Sequence, residues 1–103
     1  MAQRLRKVRH LYGLTPEEYL TLVVNAGGRC QACGQRPPKT GRVSQTSLHV
    51  DHDHETGEVR GLICYGCNLA IGYLQECPDR ARSVANYLEA TRSQNWNDVA
   101  ARF

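Results

Sequence analysis

The residues best suited to chemistry lie between Leu48 and Asn68. An acidic and histidine-rich run, Asp51-His52-Asp53-His54, ends one short apolar segment. A C-x-x-C pair followed directly by Asn68 ends the next apolar segment. Burial of four consecutive ionisable groups is costly unless each finds a partner. The run therefore indicates a functional site rather than a packed core.

Four of the five cysteines form two C-x-x-C pairs, Cys30 with Cys33 and Cys64 with Cys67. Two residues between thiolates allow one tight turn to point both sulfurs at one ion, so the pairs predict a structural four-cysteine Zn²⁺ site. A redox C-x-x-C motif is the competing interpretation, but it needs only one pair and a thioredoxin-like βαβ frame. Zinc binding by one of the nearby histidines is a further alternative. The fifth cysteine, Cys77, is expected to be a small buried residue.

A second metal site is predicted from Asp51 and Asn68, whose hard oxygen ligands suit Mg²⁺ or Mn²⁺. His52 is the neighbouring side chain suited to a general base near neutral pH. In this interpretation His52 takes a proton from water while the metal polarises a phosphate. Strand alternation places Asp51 and His52 on opposite faces, so the strand must end or twist there. The alternative for Asn68 is a simple helix cap.

Two short segments, Leu48–His52 and Val59–Ile63, predict an antiparallel hairpin around the polar residues 53–58. A lone hairpin is marginally stable in water and needs a partner layer. Thirty residues separate Cys33 from Cys64, so a shared zinc would clamp the base of this hairpin. A helix is expected to continue from Asn68 to Leu74, beside the strand that carries Asp51.

Helices are predicted on both sides of the hairpin. Thr15-Pro16-Glu17-Glu18 has the pattern of a capping box, and Gly27-Gly28 is a typical helix end. Apolar spacing also allows a short helix in the basic arm, residues 1–13. Residues 35–47 are interpreted as a loop. A last helix is expected over about residues 79–92, with an inner face formed by Val84, Tyr87, Leu88 and Thr91 and widened by Ala81 and Ala85.

A chain of 103 residues with one Phe, one Met and one Trp predicts one small α+β domain with a modest core. Small domains often add a metal to such a core. The basic N-terminus does not resemble a signal peptide, and no apolar run approaches the ~20 residues of a membrane span. We therefore expect a cytoplasmic protein without a membrane partner.

Charge is distributed unevenly along the chain. Residues 1–42 carry eight Lys or Arg against two Glu, whereas residues 43–103 carry five against eight Asp or Glu. A solvated surface of uneven charge is one interpretation, and phosphate binding by the basic part is the other. The candidate nucleic-acid contacts are Arg4, Arg6, Lys7, Arg9, Arg36, Lys39 and Arg42.

With these motifs in order, the sequence resembles the phage recombination endonuclease VII family, within the HNH or ββα-metal (His-Me finger) nucleases. The similarity is carried by LYGLTPEEYLTLVVNAGGRCQACG and by LHVDHDHETGEVRGLICYGCNLAIG, and it weakens toward Leu88. It implies a DNA endonuclease of phage or prophage origin that acts in the bacterial host cytoplasm. We expect a single nuclease domain over residues 1–103, with its zinc and ββα-metal core at about residues 28–76.

The resemblance also implies roles for particular residues. Asp51 and Asn68 match the catalytic Mg²⁺ ligands, His52 matches the general base, and His54 matches a further histidine near the scissile phosphate. The structural zinc ligands match Cys30, Cys33, Cys64 and Cys67.

Two alternatives remain at this point. One is a dimeric resolvase of Holliday junctions or other branched DNA, although the family's resolvases are longer than this chain. The other is a non-catalytic zinc module that only binds nucleic acid.

Overall fold

The computed structural model describes residues 2–91, and Met1 and residues 92–103 lie outside that part. Within it, five helices surround one two-stranded antiparallel sheet. The elements in chain order are α1 (Ala2–Tyr12), α2 (Pro16–Ala26), α3 (Val43–Thr46), β1 (His49–His52), β2 (Val59–Ile63), α4 (Tyr65–Tyr73) and α5 (Pro78–Ala90). The predicted α+β class and the hairpin-plus-helix arrangement of β1, β2 and α4 are confirmed.

Helix α2 begins and ends as its sequence predicts. Thr15 Oγ1 accepts the Glu18 backbone N–H at 3.1 Å, and Glu18 Oε1 accepts the Thr15 backbone N–H at 3.0 Å. This reciprocal capping box satisfies two donors that the helix itself leaves free. Gly27 ends the helix with a φ of 59°, a left-handed conformation that glycine adopts at little cost.

The core lies on one side of the hairpin, where α1 and α2 cover it. Its buried residues are Val8, Leu14, Tyr19, Ala26 and Leu62. Partly buried side chains from α1, α2 and both strands pack around them. Neither α4 nor α5 contains a buried residue. The two helices that follow β2 therefore gain little from apolar burial.

Helix α5 corrects two predictions. Its expected inner face is exposed, with Val84 at 44%, Tyr87 at 68% and Leu88 at 59% of full accessibility. Cys77 at its start is also exposed rather than buried. The apolar spacing predicted which side of the helix is apolar, but no described element covers that side. The predicted end near residue 92 and the tail at residues 93–103 lie outside the described residues.

The segment predicted as a loop, residues 35–47, contains the short helix α3. Gln45 Oε1 accepts the Arg42 backbone N–H at 3.3 Å, and Thr46 Oγ1 donates to the Arg42 carbonyl at 3.2 Å. Polar side chains supply the local hydrogen bonds here, so apolar periodicity gives no signal of this helix. Helix α3 packs against α4.

A β-bulge interrupts the hairpin beside the candidate site. Asp51 pairs with Gly61, but the next residue, His52, pairs with Val59. Arg60 is therefore the extra residue on β2. A bulge bends its strand and increases the local twist. Strand β1 itself ends at His52, beside this bulge.

The first cysteine pair is joined to β2 through Gln31, one of the two residues between its cysteines. The Gln31 backbone N–H donates to the Leu62 carbonyl at 2.9 Å. The Leu62 N–H donates in turn to Gln31 Oε1 at 2.8 Å. Gly61 leaves room for this contact, because a Cβ there would collide with the Gln31 amide. The hairpin is thus fixed to the segment that carries Cys30 and Cys33.

Candidate functional site

The four paired cysteines converge at the base of the hairpin. The sulfurs of Cys30, Cys33, Cys64 and Cys67 all lie within 4.8 Å of one another. Cys33 Sγ and Cys64 Sγ are 3.9 Å apart. Tetrahedral Zn²⁺ with Zn–S bonds of about 2.3 Å needs sulfurs slightly less than 4 Å apart. The cluster therefore fits a structural zinc ion, as the sequence predicts.

Backbone N–H groups donate hydrogen bonds to sulfurs of this cluster, which favours their thiolate form. The N–H groups of Ala32 and Cys33 each donate to Cys30 Sγ at 3.4 Å. Burial disfavours the charged form of Cys30, but hydrogen bonds from Cys33, Cys64 and Ala32 outweigh it and lower the pKa of Cys30 to about 6. Burial, with hydrogen bonds to the other thiols, raises the pKa of Cys67. Zinc ligands bind as thiolates, so a divalent cation at this cluster would favour ionisation of its sulfurs.

No histidine joins the cysteine cluster among residues 2–91. It is the only group of three or more His, Cys, Asp or Glu side chains in that part whose ligand atoms lie so close together. His49 is engaged elsewhere, because its Nε2 donates to the Ser44 carbonyl at 2.6 Å. His52 and His54 lie at the far end of β1, against each other. Four cysteines alone complete the zinc set.

Helix α4 begins earlier than predicted, and this corrects one interpretation of Asn68. The helix starts at Tyr65, and Cys64 is its N-cap, with Sγ accepting the Cys67 backbone N–H at 3.4 Å. Asn68 lies inside the helix, where its own N–H donates to the Cys64 carbonyl at 2.9 Å. The cap interpretation is therefore wrong. The Asn68 side chain is exposed and makes no hydrogen bond within the described residues, so its amide oxygen is free for a ligand.

Asp51 is the buried acid of the hairpin, at 8% exposure. Arg60 binds it through two bonds, Nε to Oδ2 at 2.7 Å and Nη2 to Oδ1 at 3.0 Å. The same Nη2 donates to the His52 carbonyl at 3.2 Å. The bond to Asp51, opposed by burial and supported by Glu76, raises the pKa of Arg60 well above its usual range. Two-point binding of this kind fixes the plane of the carboxylate.

The two candidate catalytic histidines are neighbours. The ring centroids of His52 and His54 are 4.6 Å apart. The ring of Tyr12, the last residue of α1, lies 5.3 Å from that of His52. His52 is half-buried and His54 is exposed. The contacts with Tyr12 and His54 limit the rotation of His52.

Asp53, between the histidines, has a structural role. Its Oδ1 accepts the backbone N–H groups of Glu55 at 2.8 Å and Thr56 at 3.1 Å. These bonds hold the pKa of Asp53 below its usual value, with a smaller opposing effect of burial. Asp53 thus forms part of the hairpin turn.

Sequence reasoning missed two members of this site, Arg60 and Glu76. Glu76 Oε1 accepts from Arg60 Nη2 at 2.8 Å and from His54 Nδ1 at 2.9 Å. Asp51, Arg60, Glu76 and His54 therefore form one continuous chain of hydrogen bonds. Arg60 could have been suspected, because it is the only basic residue other than histidine between Arg42 and Arg80. No sequence signal indicates Glu76.

A cavity of about 290 Å³ opens beside this chain. Its polar lining is Asp51, Arg60 and Glu76, and its apolar lining comes from α4, α5 and the turn between them. Asn68 does not line it. The rings of His52 and His54 lie together, and hydrogen bonds through Arg60 and Glu76 link His54 to Asp51. Asn68 lies on α4, which packs against β1.

The predicted phosphate contacts are exposed and lie in two groups. Arg4, Arg6, Lys7 and Arg9 project from α1, and Arg36, Lys39 and Arg42 lie in the segment before α3. Arg4 also donates to the Tyr19 hydroxyl at 3.2 Å. Arg4 and Lys7 line a cavity of about 300 Å³ together with His49 and Val50 of β1. One basic group thus borders the strand that carries Asp51 and His52.

Among residues 2–91, no helix is both long enough and apolar enough to cross a lipid bilayer.

Comparison with known proteins agrees with this arrangement. The family model for recombination endonuclease VII matches residues 5–90. The Gene 59 protein of Mycobacterium phage D29 is 42% identical over 78 residues, which cover 75% of this chain and 44% of that protein. The Gene 59 protein of Mycobacterium phage L5 is 40% identical over the same shares. This chain thus spans less than half the length of these relatives.

The matched region includes both cysteine pairs, the hairpin, the whole of α2, α4 and α5, and α1 from Leu5 onward. The resemblance carried by the hairpin and cysteine motifs is therefore confirmed, and the chain belongs to the recombination endonuclease VII family.

Proposed function

We propose that this chain is a metal-dependent DNA endonuclease domain of the HNH type. The observation that carries the proposal is the end of β1. There a buried acid, Asp51, and a half-buried histidine, His52, are consecutive residues beside a bulge. The helix that follows the hairpin begins within a four-cysteine cluster. Membership of the endonuclease VII family supports phosphodiester hydrolysis as the reaction and DNA as the substrate.

Asp51 and Asn68 offer hard oxygen ligands of the kind that Mg²⁺ or Mn²⁺ prefers. A carboxylate has about four lone-pair sites, and Arg60 uses two of those on Asp51. The free Asn68 amide oxygen is a second hard donor on the adjacent helix. When bound by these two residues, the ion would polarise the scissile phosphate and stabilise the departing oxygen.

The protein side of the reaction follows from the neighbours of each group. Arg60 holds the Asp51 carboxylate in one plane, so the carboxylate is already oriented before a metal ion binds. His52 accepts a proton from the attacking water, and its contacts with Tyr12 and His54 keep the ring in place. His54, exposed beside it, is available to contact the substrate phosphate. Lys7 and Arg4, at the edge of β1, would bind flanking phosphates.

The test is cleavage of supercoiled plasmid with Mg²⁺ or Mn²⁺ by the wild type and by His52→Ala. Loss of a general base typically lowers the rate by about 10²–10⁴-fold. His10→Ala is the matched control, because His10 is an exposed histidine on α1 outside the proposed site. Full metal-dependent cleavage by His52→Ala would exclude His52 as the base. Binding of DNA without cleavage by the wild type under any divalent metal would favour a non-catalytic zinc module.

A dimeric resolvase of branched DNA is the second candidate function. The supporting observation is the exposed apolar face of α5, where Tyr87 is 68% and Leu88 is 59% exposed. A second copy of the chain would cover this face, and two paired cuts need two sites. Light scattering on the free protein and on a four-way junction tests the idea. A strict monomer in both measurements would contradict it, as would equal cleavage of junction and linear duplex.

A further inference from the structure

Glu76 occupies an unusual backbone position. Gln75 and Glu76 are consecutive residues with φ values of 57° and 55°, and no other non-glycine residue in the described chain has a positive φ. Such conformations are strained for residues with a Cβ and persist only where the surroundings impose them. The hydrogen bond from the Glu76 N–H to the Ile71 carbonyl, at 2.9 Å, holds this turn at the end of α4. The turn brings an acidic side chain back toward the hairpin.

That side chain joins the two halves of the proposed site. One oxygen, Oε1, bonds both Arg60 and His54, at 2.8 and 2.9 Å. The Glu76 side chain is 21% exposed, whereas His54 is 70% exposed. The bond with His54, opposed by burial and supported by the bond with Arg60, lowers the pKa of Glu76. The carboxylate is therefore ionised at neutral pH.

An ionised carboxylate can only accept hydrogen bonds, so the proton of this contact belongs to His54 Nδ1. In the neutral ring, Nδ1–H leaves Nε2 as the free nitrogen. Metal-binding and catalytic histidines commonly owe their tautomer and orientation to a partner of this kind on the other ring nitrogen. The same carboxylate fixes the guanidinium that holds Asp51.

We propose that Glu76 is a positioning residue of the nuclease site, which sets the tautomer and orientation of His54 and secures Arg60 against Asp51. The predicted effect of Glu76 on catalysis rests on the proposed function. The predicted tautomer of His54 does not. The contrasting explanation is a purely structural contact that ties the end of α4 to the hairpin.

The test compares Glu76→Ala and Glu76→Gln with Glu58→Gln. Glu58 is an exposed acid in the same hairpin, and its side chain makes no hydrogen bond within the described residues, so the control matches the change in charge. Long-range proton–nitrogen spectra at mildly alkaline pH report the tautomer of His54. We expect Nδ1–H to dominate in the wild type and in Glu58→Gln. In Glu76→Ala the ring should shift toward Nε2–H, because its acceptor is gone.

Cleavage kinetics supply the second measurement. Loss of a partner that orients a catalytic group typically costs about 10–100-fold, so kcat of Glu76→Ala should fall by that factor while KM for DNA is unchanged. Glu76→Gln keeps an oxygen acceptor and should lose less. A structural contact would instead lower stability and leave kcat of the folded fraction unchanged.

An unchanged His54 tautomer in Glu76→Ala would overturn the proposal, as would an unchanged kcat in a wild type that cleaves. If the wild type does not cleave DNA at all, the proposed function fails. The tautomer comparison still decides whether Glu76 positions His54.

Discussion

At the scale of single residues, the run Asp51-His52-Asp53-His54 divides into distinct roles. Asp53 closes the turn through two backbone N–H groups, whereas Asp51 is buried and bound by Arg60. The two histidines contact each other at the end of β1. The clustering of ionisable groups predicts a site, and of its two acids it is Asp53 that accepts the backbone N–H groups of the turn.

Replacement of Arg60 by Gln should destabilise the protein. The buried Asp51 carboxylate would lose both charge-assisted hydrogen bonds, and an unpaired buried charge is costly. Because the Arg60 side chain is 37% exposed, water would replace part of the loss, and we expect a decrease of about 1–3 kcal/mol in the free energy of unfolding. Urea unfolding at neutral pH measures it.

Arg82→Gln is the matched control for that experiment. Arg82 binds Asp79 at 2.6 Å on the surface of α5, where the two side chains are 70% and 91% exposed. Exposed pairs of this kind contribute about 0–1 kcal/mol. If both substitutions cost the same, the Asp51–Arg60 pair would behave as an ordinary surface contact.

Some of these residues could be predicted from the sequence and others could not, for physical reasons. Cysteine spacing gave all four members of the metal cluster, because a tight turn fixes the relation between residues three apart. The link from Arg60 to Glu76 spans 16 positions and depends on a left-handed turn of two non-glycine residues. Neither the partner nor the turn has a local signal. Whether Asn68 shares a metal with Asp51 stays a prediction.

At the scale of elements, predictions succeeded where the local chemistry was of a common kind. The capping box and Gly27 fixed α2 at both ends. The start of α4 was missed because its cap is a cysteine sulfur rather than a hydroxyl or carboxylate. Helix α3 was missed because its hydrogen bonds come from polar side chains. Strand β2 was predicted over Val59–Ile63, but alternation could not reveal the bulge at Arg60.

Gly61→Ala should weaken the junction between the first cysteine pair and β2. The added Cβ would displace the Gln31 amide and leave the Leu62 N–H without its acceptor. A buried donor without a partner costs about 1–3 kcal/mol, and the free energy of unfolding should fall by that amount. Gln31→Ala removes the same bond, so the double variant should lose less than the sum of the two single losses.

Gly72→Ala is the comparison that isolates this contact. Gly72 lies in α4 with open space where a Cβ would be added. Alanine is more favourable than glycine in a helix by about 0.5–1 kcal/mol, so this variant should be more stable than the wild type. A stabilised Gly61→Ala, or strictly additive losses in the double variant, would contradict the proposed junction.

At the scale of the whole molecule, stability is divided between a one-sided core and the cysteine cluster. The buried apolar residues of the core come from α1, α2, the turn between them and the hairpin, whereas α4 and α5 bury none. Structural zinc contributes about 10–16 kcal/mol in small peptides. A whole domain is usually stable by about 5–15 kcal/mol. The ion would therefore account for much of the stability of this fold.

Removal of zinc by a chelator should unfold the chain or reduce it to a partly helical state. Far-ultraviolet circular dichroism and metal analysis by mass spectrometry follow the two changes together. Cys33→Ser should lose the ion, whereas Cys77→Ser should keep it, because Cys77 is exposed and outside the cluster. A chain that keeps its spectrum after the metal is gone would show that the core suffices alone.

The basic residues of α1 are expected to contribute to DNA binding by the molecule as a whole. Lys7 lines the groove beside β1, so we expect it to contact a phosphate of DNA bound across the site. Each such contact contributes about 0.9 to the slope of log K against log salt concentration. Lys7→Gln should lower the slope by that amount and weaken binding to all sequences alike. A His52→Ala background prevents cleavage during the titration.

Arg80→Gln, on the exposed surface of α5, should leave the slope unchanged. Equal slopes in the Lys7 and Arg80 variants would mean that DNA does not cross this groove, and the phosphate contacts would have to come from the segment before α3.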